Sequence, residues 1–221
     1  MDMVEDRRSV PGAEIHDITG ARMTRRSPVL EEAWRYWSSL RRDGRLPERA
    51  ALDPGAMKLI LGHSMVLDRV RPGSVRVRLG GRVPNALMGM ETRGLPIRAF
   101  FDLMQRNRAI ELMDRVFDER ASLELDLSSE GDEAPLAARM MVLPLADRDG
   151  QATKALAVLV PDRVVSEGPR RFVIERHHLA PVLASLTDRS PGVPLAEAAE
   201  DQAPYMAAPQ SDRAPWLRVV K

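Results

Sequence analysis

In the stretch SVRVRL, residues 74–79, three apolar residues alternate with two arginines. This period of two is typical of a β-strand that has one face in water and the other in a core. The alternation places Val75, Val77 and Leu79 on the buried face and Arg78 on the wet face. The pattern therefore predicts one half-buried strand near the middle of the domain.

Glycines divide the chain directly after this strand. Gly80 and Gly81 stand at its end, and Gly89 and Gly94 flank the next turn. Because glycine turns the backbone at little steric cost, the adjacent pair predicts a corner in the chain. The apolar run at residues 83–88 then predicts a short helix, which ends at a second glycine corner.

Helical periodicity predicts a leading helix before this strand and a longer helix after it, at residues 106–119. Ser27-Pro28 is a start signal, since a serine hydroxyl caps a helix and proline is tolerated at its first position. The same pair of signals predicts a short helix over residues 53–61, and Pro96 opens a further short helical segment. The leading helix carries one apolar stripe: Leu30, Ala33, Trp34, Trp37 and Leu40.

The other apolar runs predict strands at residues 64–70, 122–127, 136–145 and 155–160. With residues 74–79 they make five strands, which come in hairpins with the helices gathered between the second strand and the third. Runs of hairpins with segregated helices are typical of α+β domains. We therefore expect a five-stranded antiparallel sheet with a helical crossover and a leading N-terminal helix.

The two ends of the chain lack this periodicity. Residues 1–26 predict a flexible N-terminal arm, and residues 188–221, rich in Pro, Ala and acids, predict a mostly disordered tail. The domain with its leading helix is expected over residues 27–165, and residues 166–187 predict one more strand or helix. The apolar patch at Trp216 predicts either a segment that docks on a sheet edge or a solvated tail.

Composition narrows the classes of function. Apolar residues make up 44% of the 221, and 33 basic residues against 32 acidic ones give a net charge of +1. This balance argues against a nucleic-acid partner, and no apolar run approaches the length of a membrane span. Since the N-terminus lacks a signal-peptide core and the chain has no cysteine, we expect a soluble cytoplasmic protein that does not bind membranes.

Residue patterns that carry catalytic chemistry are sparse. Without cysteine the chain has no thiolate nucleophile, no Cys-based metal site and no cysteinyl flavin adduct. The four histidines, at positions 16, 63, 177 and 178, lack metal-ligand spacing, and neither a phosphate loop nor a nucleophile elbow occurs. We therefore expect no enzyme activity, no catalytic residue, no metal and no cofactor.

Residues 30–161 resemble the single-domain PAS family that is abundant in alphaproteobacteria. The resemblance rests on the following residues: Trp34, Trp37, Arg45-Leu46-Pro47, Asp53-Pro54, Arg78-Leu79-Gly80-Gly81, and Glu91 between Gly89 and Gly94. It implies a PAS-like fold with a sensory or regulatory role and no inherent chemistry. The sequence departs from the family at Arg82, where the family has a small polar residue.

The resemblance also implies a ligand space between the sheet and the helical crossover, and a homodimer formed through the leading helix. The candidate pocket residues on this basis are Arg78, Met88, Phe100, Phe101, Met113 and Met141. The candidate interface residues are Trp34, Trp37 and Leu30. For both sets the alternative is that the residues are plain core.

Two functions remain open at this point. The first is a stand-alone regulatory module that acts through protein–protein contact on an unidentified signalling protein, without an effector domain of its own. The second is a sensor of an apolar small molecule held between sheet and helices, where methionine suits irregular apolar ligands.

Overall fold

The structure is a computed structural model that describes residues 27–130, 135–164 and 168–182. Its strands are β1 (Ser64–Arg71), β2 (Ser74–Gly80), β3 (Ala121–Ser129), β4 (Leu136–Ala146), β5 (Ala152–Pro161) and β6 (Val173–Pro181). The α-helices of the described residues are α1 (Pro28–Ser39), α2 (Arg82–Met88) and α3 (Arg106–Asp118). All strands pair antiparallel in one sheet, in the order β2-β1-β5-β4-β3-β6.

This architecture confirms the predicted α+β fold with a helical crossover. The crossover joins β2 to β3 through α2, α3 and two short 3₁₀ turns at Ile97–Phe100 and Leu103–Gln105. The sheet has six strands because the segment that the sequence left as strand or helix forms β6 beside β3. The predicted arm at residues 1–26, the tail at 188–221 and Trp216 lie outside the described residues.

The sheet separates two hydrophobic cores. On one side, here called the crossover face, residues such as Leu67, Val77 and Leu125 pack with α2 and α3. On the other, here called the outer face, α1 packs against β4 and β5. Strands that are buried on both faces read as continuous apolar runs, which is why the sequence of β4 shows no clear alternation.

Helix α1 forms as its sequence signals predict. The Ser27 hydroxyl accepts a hydrogen bond from the Leu30 backbone N–H at 3.4 Å, and proline occupies the first turn. The buried Trp37 indole N–H donates to the Pro144 carbonyl on β4 at 2.9 Å. This bond satisfies the polar end of a large apolar side chain and fixes the helix to the sheet.

Two local predictions need correction. Residues 53–61 form turns and a 3₁₀ segment instead of a helix, with i→i−3 bonds such as Met57 N to Pro54 O at 3.3 Å. Gly81 has an ordinary φ of −74°, so it is not needed for a special turn. A side-chain carbon there would lie 2.6 Å from the Leu61 and Gly62 carbonyl oxygens, and glycine is required for this close approach.

Candidate functional site

Four of the predicted pocket residues lie together on the crossover face. Met88 ends α2, Phe100 and Phe101 lie in the connection to α3, and Met113 lies on α3. Their side chains are buried and belong to one hydrophobic cluster with residues of the sheet. The space between helices and sheet is thus lined by the side chains that the sequence places there.

Phe172, just before β6, adds its side chain to the same cluster and is fully buried. Its backbone N–H donates to the Phe100 carbonyl at 2.8 Å, and its carbonyl accepts from the Asp102 N–H at 2.9 Å. These two bonds fix the backbone of Phe172 beside residues 100–102 of the crossover. The crossover core therefore includes a side chain from the segment that follows β5.

Residues 168–172, here called the β5–β6 strap, lead the chain across the crossover to β6. The Arg170 N–H donates to the Leu87 carbonyl at 2.7 Å, and the Arg171 guanidinium donates to the Ala99 carbonyl. A side-chain carbon at Gly168 would lie 2.4 Å from the Gly89 backbone nitrogen. The two segments of the chain therefore approach so closely here that position 168 requires glycine. The strap therefore covers this part of the crossover and is held there by hydrogen bonds to its backbone carbonyls.

The two other predicted pocket residues lie apart from these four. Successive side chains on a strand point to opposite faces, and Met141 accordingly packs in the outer core while Met140 faces the crossover. Arg78 is exposed on β2. The sequence grouped six residues into one pocket, and the structure brings four of them together.

The outer face carries an apolar cleft over the β1–β2 hairpin, beside the region where α1 packs. Its volume is about 330 Å³. Leu61 and Leu79 are 45% and 48% exposed at its rim, whereas Met57 is buried. The lining residues are Arg49, Ala50, Leu52, Pro54, Met57, Leu61, Ser64, Val66, Leu79, Gly80 and Gly81.

A charged cleft of about 580 Å³ adjoins the apolar one. The two clefts share Arg49, Ala50 and Val66 as lining residues, and together they are here called the β1–β2 groove. The other residues of the charged cleft are Glu48, Asp68, Arg78, Ala146, Asp147, Arg148, Asp149 and Lys154. The groove is therefore apolar at one end and ionic at the other.

Two of the acids in the charged cleft already have partners. Asp68 forms an ion pair with Lys154. Asp147 accepts hydrogen bonds from the Thr153 hydroxyl at 2.6 Å and the Gln151 N–H at 2.9 Å, and these bonds hold the pKa of its carboxyl below the usual value. Both carboxylates are thus neutralised or hydrogen-bonded within the domain.

The arginines of the groove are in the opposite situation. Within the described part of the chain, the guanidinium groups of Arg49, Arg78 and Arg148 make no hydrogen bond or ion pair, and Glu48 and Asp149 likewise keep free carboxylates. Among the described residues, three guanidinium groups and two carboxylates of the groove are therefore without a hydrogen-bond or ion-pair partner. Counted with Asp147 and the Asp68–Lys154 pair, the charged cleft has four basic and four acidic lining residues and therefore no net charge.

A β-bulge places Arg78 and Leu79 in the groove together. Val66 pairs with Leu79 and Leu67 pairs with Val77, so Arg78 is an extra residue without a partner on β1. A bulge of this kind re-aims the side chains that follow it. The prediction that Leu79 shares the buried face of Val77 is therefore wrong, since Leu79 turns to the outer face and is exposed.

The predicted interface residues are divided between core and surface. Leu30 and Trp37 are buried in the outer core, whereas Trp34 is 37% exposed. The Trp34 and Trp37 rings are 5.5 Å apart between centroids, and the Arg41 guanidinium lies 5.3 Å from the Trp37 ring centre. Of these three residues, Trp34 alone offers appreciable surface to a second molecule.

A group of ionisable side chains lies on the outer face of β3 and its neighbours. Glu124 pairs in register with His178 of β6, and its neighbours Asp126 and Arg139 form an ion pair at 3.4 Å. Burial, reinforced by the Asp126 charge and opposed by Arg139, raises the pKa of Glu124 to about 7. The cluster makes the stability of this edge sensitive to pH near neutrality.

Two classes of site find no support in the described residues. No described helix has the length and apolar character needed to cross a bilayer. Within residues 27–130, 135–164 and 168–182, histidine, aspartate and glutamate form no group of three arranged to hold a metal ion.

Sequence reasoning missed several residues of the groove and of the strap. Arg49, Leu61 and Arg148 lie in connecting segments, and nothing in their local pattern links them to Arg78. Phe172 had a signal, because an aromatic residue opens the apolar stretch that follows residue 170. That signal did not show which face of the domain the ring would enter.

Two comparisons with known proteins returned matches. A family model described as "PAS domain" matches residues 25–160, and the chain belongs to the PAS domain family. A solved structure described as "Flavin Analogue Sheds Light on Light-Oxygen-Voltage Domain Mechanism" is similar at 15% identity and a TM-score of 0.40, covering 51% of this chain and 88% of that one. No curated protein matches the sequence. Membership of the PAS family makes the domain a module of the sensory and signalling type.

Proposed function

We propose that this PAS domain is a non-enzymatic regulatory module that acts on a signalling protein through direct contact. The observation that carries the proposal is the contrast between the two faces of the sheet. The crossover core consists of buried side chains of the domain, among them Phe172 from the strap. The outer face leaves the β1–β2 groove open to a partner.

The surface of the groove has the composition expected of a contact site. Exposed leucines provide apolar surface, and a complex that buries this surface is stabilised by its removal from water. Arginine is enriched in protein–protein interfaces. Leu61 and Leu79 supply the first property, and Arg49, Arg78 and Arg148 supply the second. The groove is lined by residues of the β1–β2 hairpin and of the connecting segments beside it.

Affinity capture of the tagged 221-residue chain from its native cells, followed by quantitative mass spectrometry, tests this proposal. We expect at least one signalling protein to be enriched reproducibly over a tag-only control and to bind the purified chain directly. If replicate captures enrich no protein that binds the purified chain, the proposed function is wrong.

A second candidate function is the sensing of an apolar small molecule in the crossover core. The clustering of Met88, Met113 and Met140 with Phe100 favours it, since methionine side chains adapt to irregular ligands. Native mass spectrometry of the purified protein is the direct test, with thermal melting in the presence of candidate apolar metabolites. A bare chain mass together with unchanged melting temperatures would exclude this function.

We further propose that the protein works in the cytoplasm as a homodimer and belongs to the alphaproteobacterial single-domain branch of the family. The exposed edge of Trp34 supports the dimer, because tryptophan is enriched at protein interfaces. Sedimentation of the purified chain at micromolar concentration tests it, and a monomeric mass would contradict it.

A further inference from the structure

We propose that a cleft between α2 and the end of β5 binds an apolar small molecule that carries one carboxylate. The cleft has a volume of about 500 Å³, which lies within the range of cavities that hold small ligands. Among the described residues it shares no lining residue with the two clefts of the β1–β2 groove. It is here called the α2–β5 cleft and is lined by His63, Arg82, Val83, Ala86, Leu87, Pro161, Asp162, Arg163 and Val164.

One face of α2 forms an apolar wall of this cleft. Arg82 and Ala86 are four residues apart on the helix, and Val83 and Leu87 beside them have the same spacing. This spacing places all four side chains on one helix face. Leu87 is buried and Val83 is half-buried. An alkyl chain that lies along this wall is removed from water, and each methylene buried in this way strengthens binding about fourfold.

The opposite wall is the end of β5, which hydrogen bonds hold in place. The Asp162 backbone N–H donates to the Ala137 carbonyl on β4 at 2.9 Å. The Arg163 guanidinium donates to the Pro135 carbonyl, just before β4, at 2.9 Å. Because this wall is already ordered, little conformational entropy is lost when a ligand binds against it.

Close contacts of the backbone bring Arg82 next to His63. A side-chain carbon at Gly81 would lie 2.6 Å from the Gly62 carbonyl oxygen, and one at Gly62 would lie 3.1 Å from Arg82 Nε. The Arg82 side chain therefore lies against Gly62, directly before His63. The His63 Nδ1–H donates to the Leu159 carbonyl at 3.1 Å, since a carbonyl oxygen can only accept, and this bond holds the ring beside β5.

The charges of the cleft favour a ligand with one negative group. The lining residues include two arginines, one aspartate and one histidine. Asp162 and Arg163 form an ion pair at 3.7 Å, so their charges cancel. Within the described part of the chain, the Arg82 guanidinium makes no hydrogen bond or ion pair. With His63 neutral, two positive charges less one negative charge leave +1, and the planar guanidinium of Arg82 suits a carboxylate.

Isothermal titration calorimetry of the purified 221-residue chain with decanoate tests the proposal, at concentrations below those at which decanoate forms micelles. We expect decanoate to bind, and octanoate to bind about tenfold more weakly because two buried methylenes are lost. Decylamine and decanol should each bind about tenfold more weakly than decanoate or worse, since neither accepts a charge-assisted bond from a guanidinium as an anion does. Decyl phosphate is included to distinguish a carboxylate from a phosphate as the negative group.

Variants locate the bound decanoate. Arg82→Glu should weaken binding by about tenfold or more, since repulsion replaces a charge-assisted bond, and Arg82→Lys should bind more tightly than Arg82→Glu because the charge is kept. Ala86→Trp should block binding, because an indole ring on this face of α2 fills part of the cleft.

Arg93→Glu is the matched control for these variants. Arg93 is exposed, lies outside the α2–β5 cleft and both clefts of the β1–β2 groove, and has no bonded partner among the described residues. Its substitution should leave the affinity for decanoate unchanged. Circular dichroism melts confirm that each variant is folded.

The outcomes separate this proposal from the other functions. It is wrong if decanoate does not bind, if decylamine or decanol binds as tightly, or if decyl phosphate binds more tightly. Binding that neither Arg82→Glu nor Ala86→Trp weakens would overturn it and favour a ligand in the crossover core, the second candidate function. The proposed contact through the β1–β2 groove is tested separately by affinity capture, and it stands or fails independently of these titrations.

Discussion

The two faces of the sheet are covered by different segments of the chain and to different extents. On the crossover face, α2, α3 and the β5–β6 strap enclose the core, and Phe172 enters it from the strap. On the outer face, α1 seals the centre over β4 and β5, and the β1–β2 hairpin retains an open groove. The comparison teaches that different segments of the chain close the crossover core and line the open groove.

The difference also separates stability from recognition. Side chains on the crossover face are buried and contribute through packing, which makes their truncation costly. The side chains of Arg49, Arg78 and Leu79 in the groove are exposed, so their substitution should cost little stability. The predictions below use this separation and begin with the largest expected effect.

Phe172→Ala should lower the free energy of unfolding by about 3–5 kcal/mol, because a buried aromatic ring is removed and a cavity is left. Chemical denaturation of the variant and of wild type measures the loss. The exposed Leu103→Ala is the control and should change stability by less than about 0.5 kcal/mol. An equally small loss for Phe172→Ala would mean that the strap does not close the crossover core.

Val77→Ser and Leu79→Ser test the bulge by comparing two neighbouring positions of one strand. Val77 is buried, and placing a hydroxyl in the core should cost about 2–3 kcal/mol. Leu79→Ser should cost less than about 0.5 kcal/mol, since the bulge has turned this side chain to solvent. Equal losses in urea titrations would show that the strand alternates regularly through Arg78.

Glu124→Gln should remove a pH dependence of stability. The pKa of Glu124 is raised to about 7 in the fold, so the native state holds this proton at pH values where the unfolded state has lost it. Stability from this group is therefore greatest at acid pH and declines as the pH rises through about 7. Wild type should lose on the order of 2 kcal/mol relative to the variant between pH 5 and pH 8.

The same measurement carries its own control. Asp126, Arg139 and His178 surround Glu124 and contribute to any pH profile, but the Gln variant retains all three. The difference between the two unfolding curves thus reports Glu124 alone. Parallel curves for wild type and variant across this range would contradict the raised pKa.

Trp34→Ala should weaken self-association with little change in stability, of about 1 kcal/mol or less. Trp34 is partly exposed on α1, whereas its neighbour Trp37 is buried and hydrogen-bonded to β4. Analytical ultracentrifugation over a concentration series checks this prediction. Identical association of wild type and Trp34→Ala would remove this residue from the dimer interface.

The sequence predicted most of the fold because its signals are local. The cap at Ser27, the apolar stripe of α1 and the strand–glycine–helix order around Gly81 depend on near neighbours, and these three features lie where expected. The family resemblance then supplied the arrangement of these elements. Local propensity and hydrophobic period agreed with the global structure, as natural sequences generally require.

The groove could not be predicted because it depends on register and on distant segments. The alternation in SVRVRL is regular, yet the pairing with β1 skips Arg78 and turns Leu79 outward. A continuous apolar run such as β4 also hides which residue faces which side, as Met140 and Met141 show. Periodicity reports burial, and it carries no information on bulges or on which loops meet.

The measurement that tests the central claim most directly is the affinity of the captured partner protein for wild type, Arg78→Glu and Arg93→Glu, by isothermal titration calorimetry at constant salt. The open outer face predicts that Arg78→Glu weakens binding about tenfold or more while its melting temperature and the affinity of Arg93→Glu stay at wild-type values. Equal affinities for all three proteins would contradict the claim that the β1–β2 groove is the contact surface.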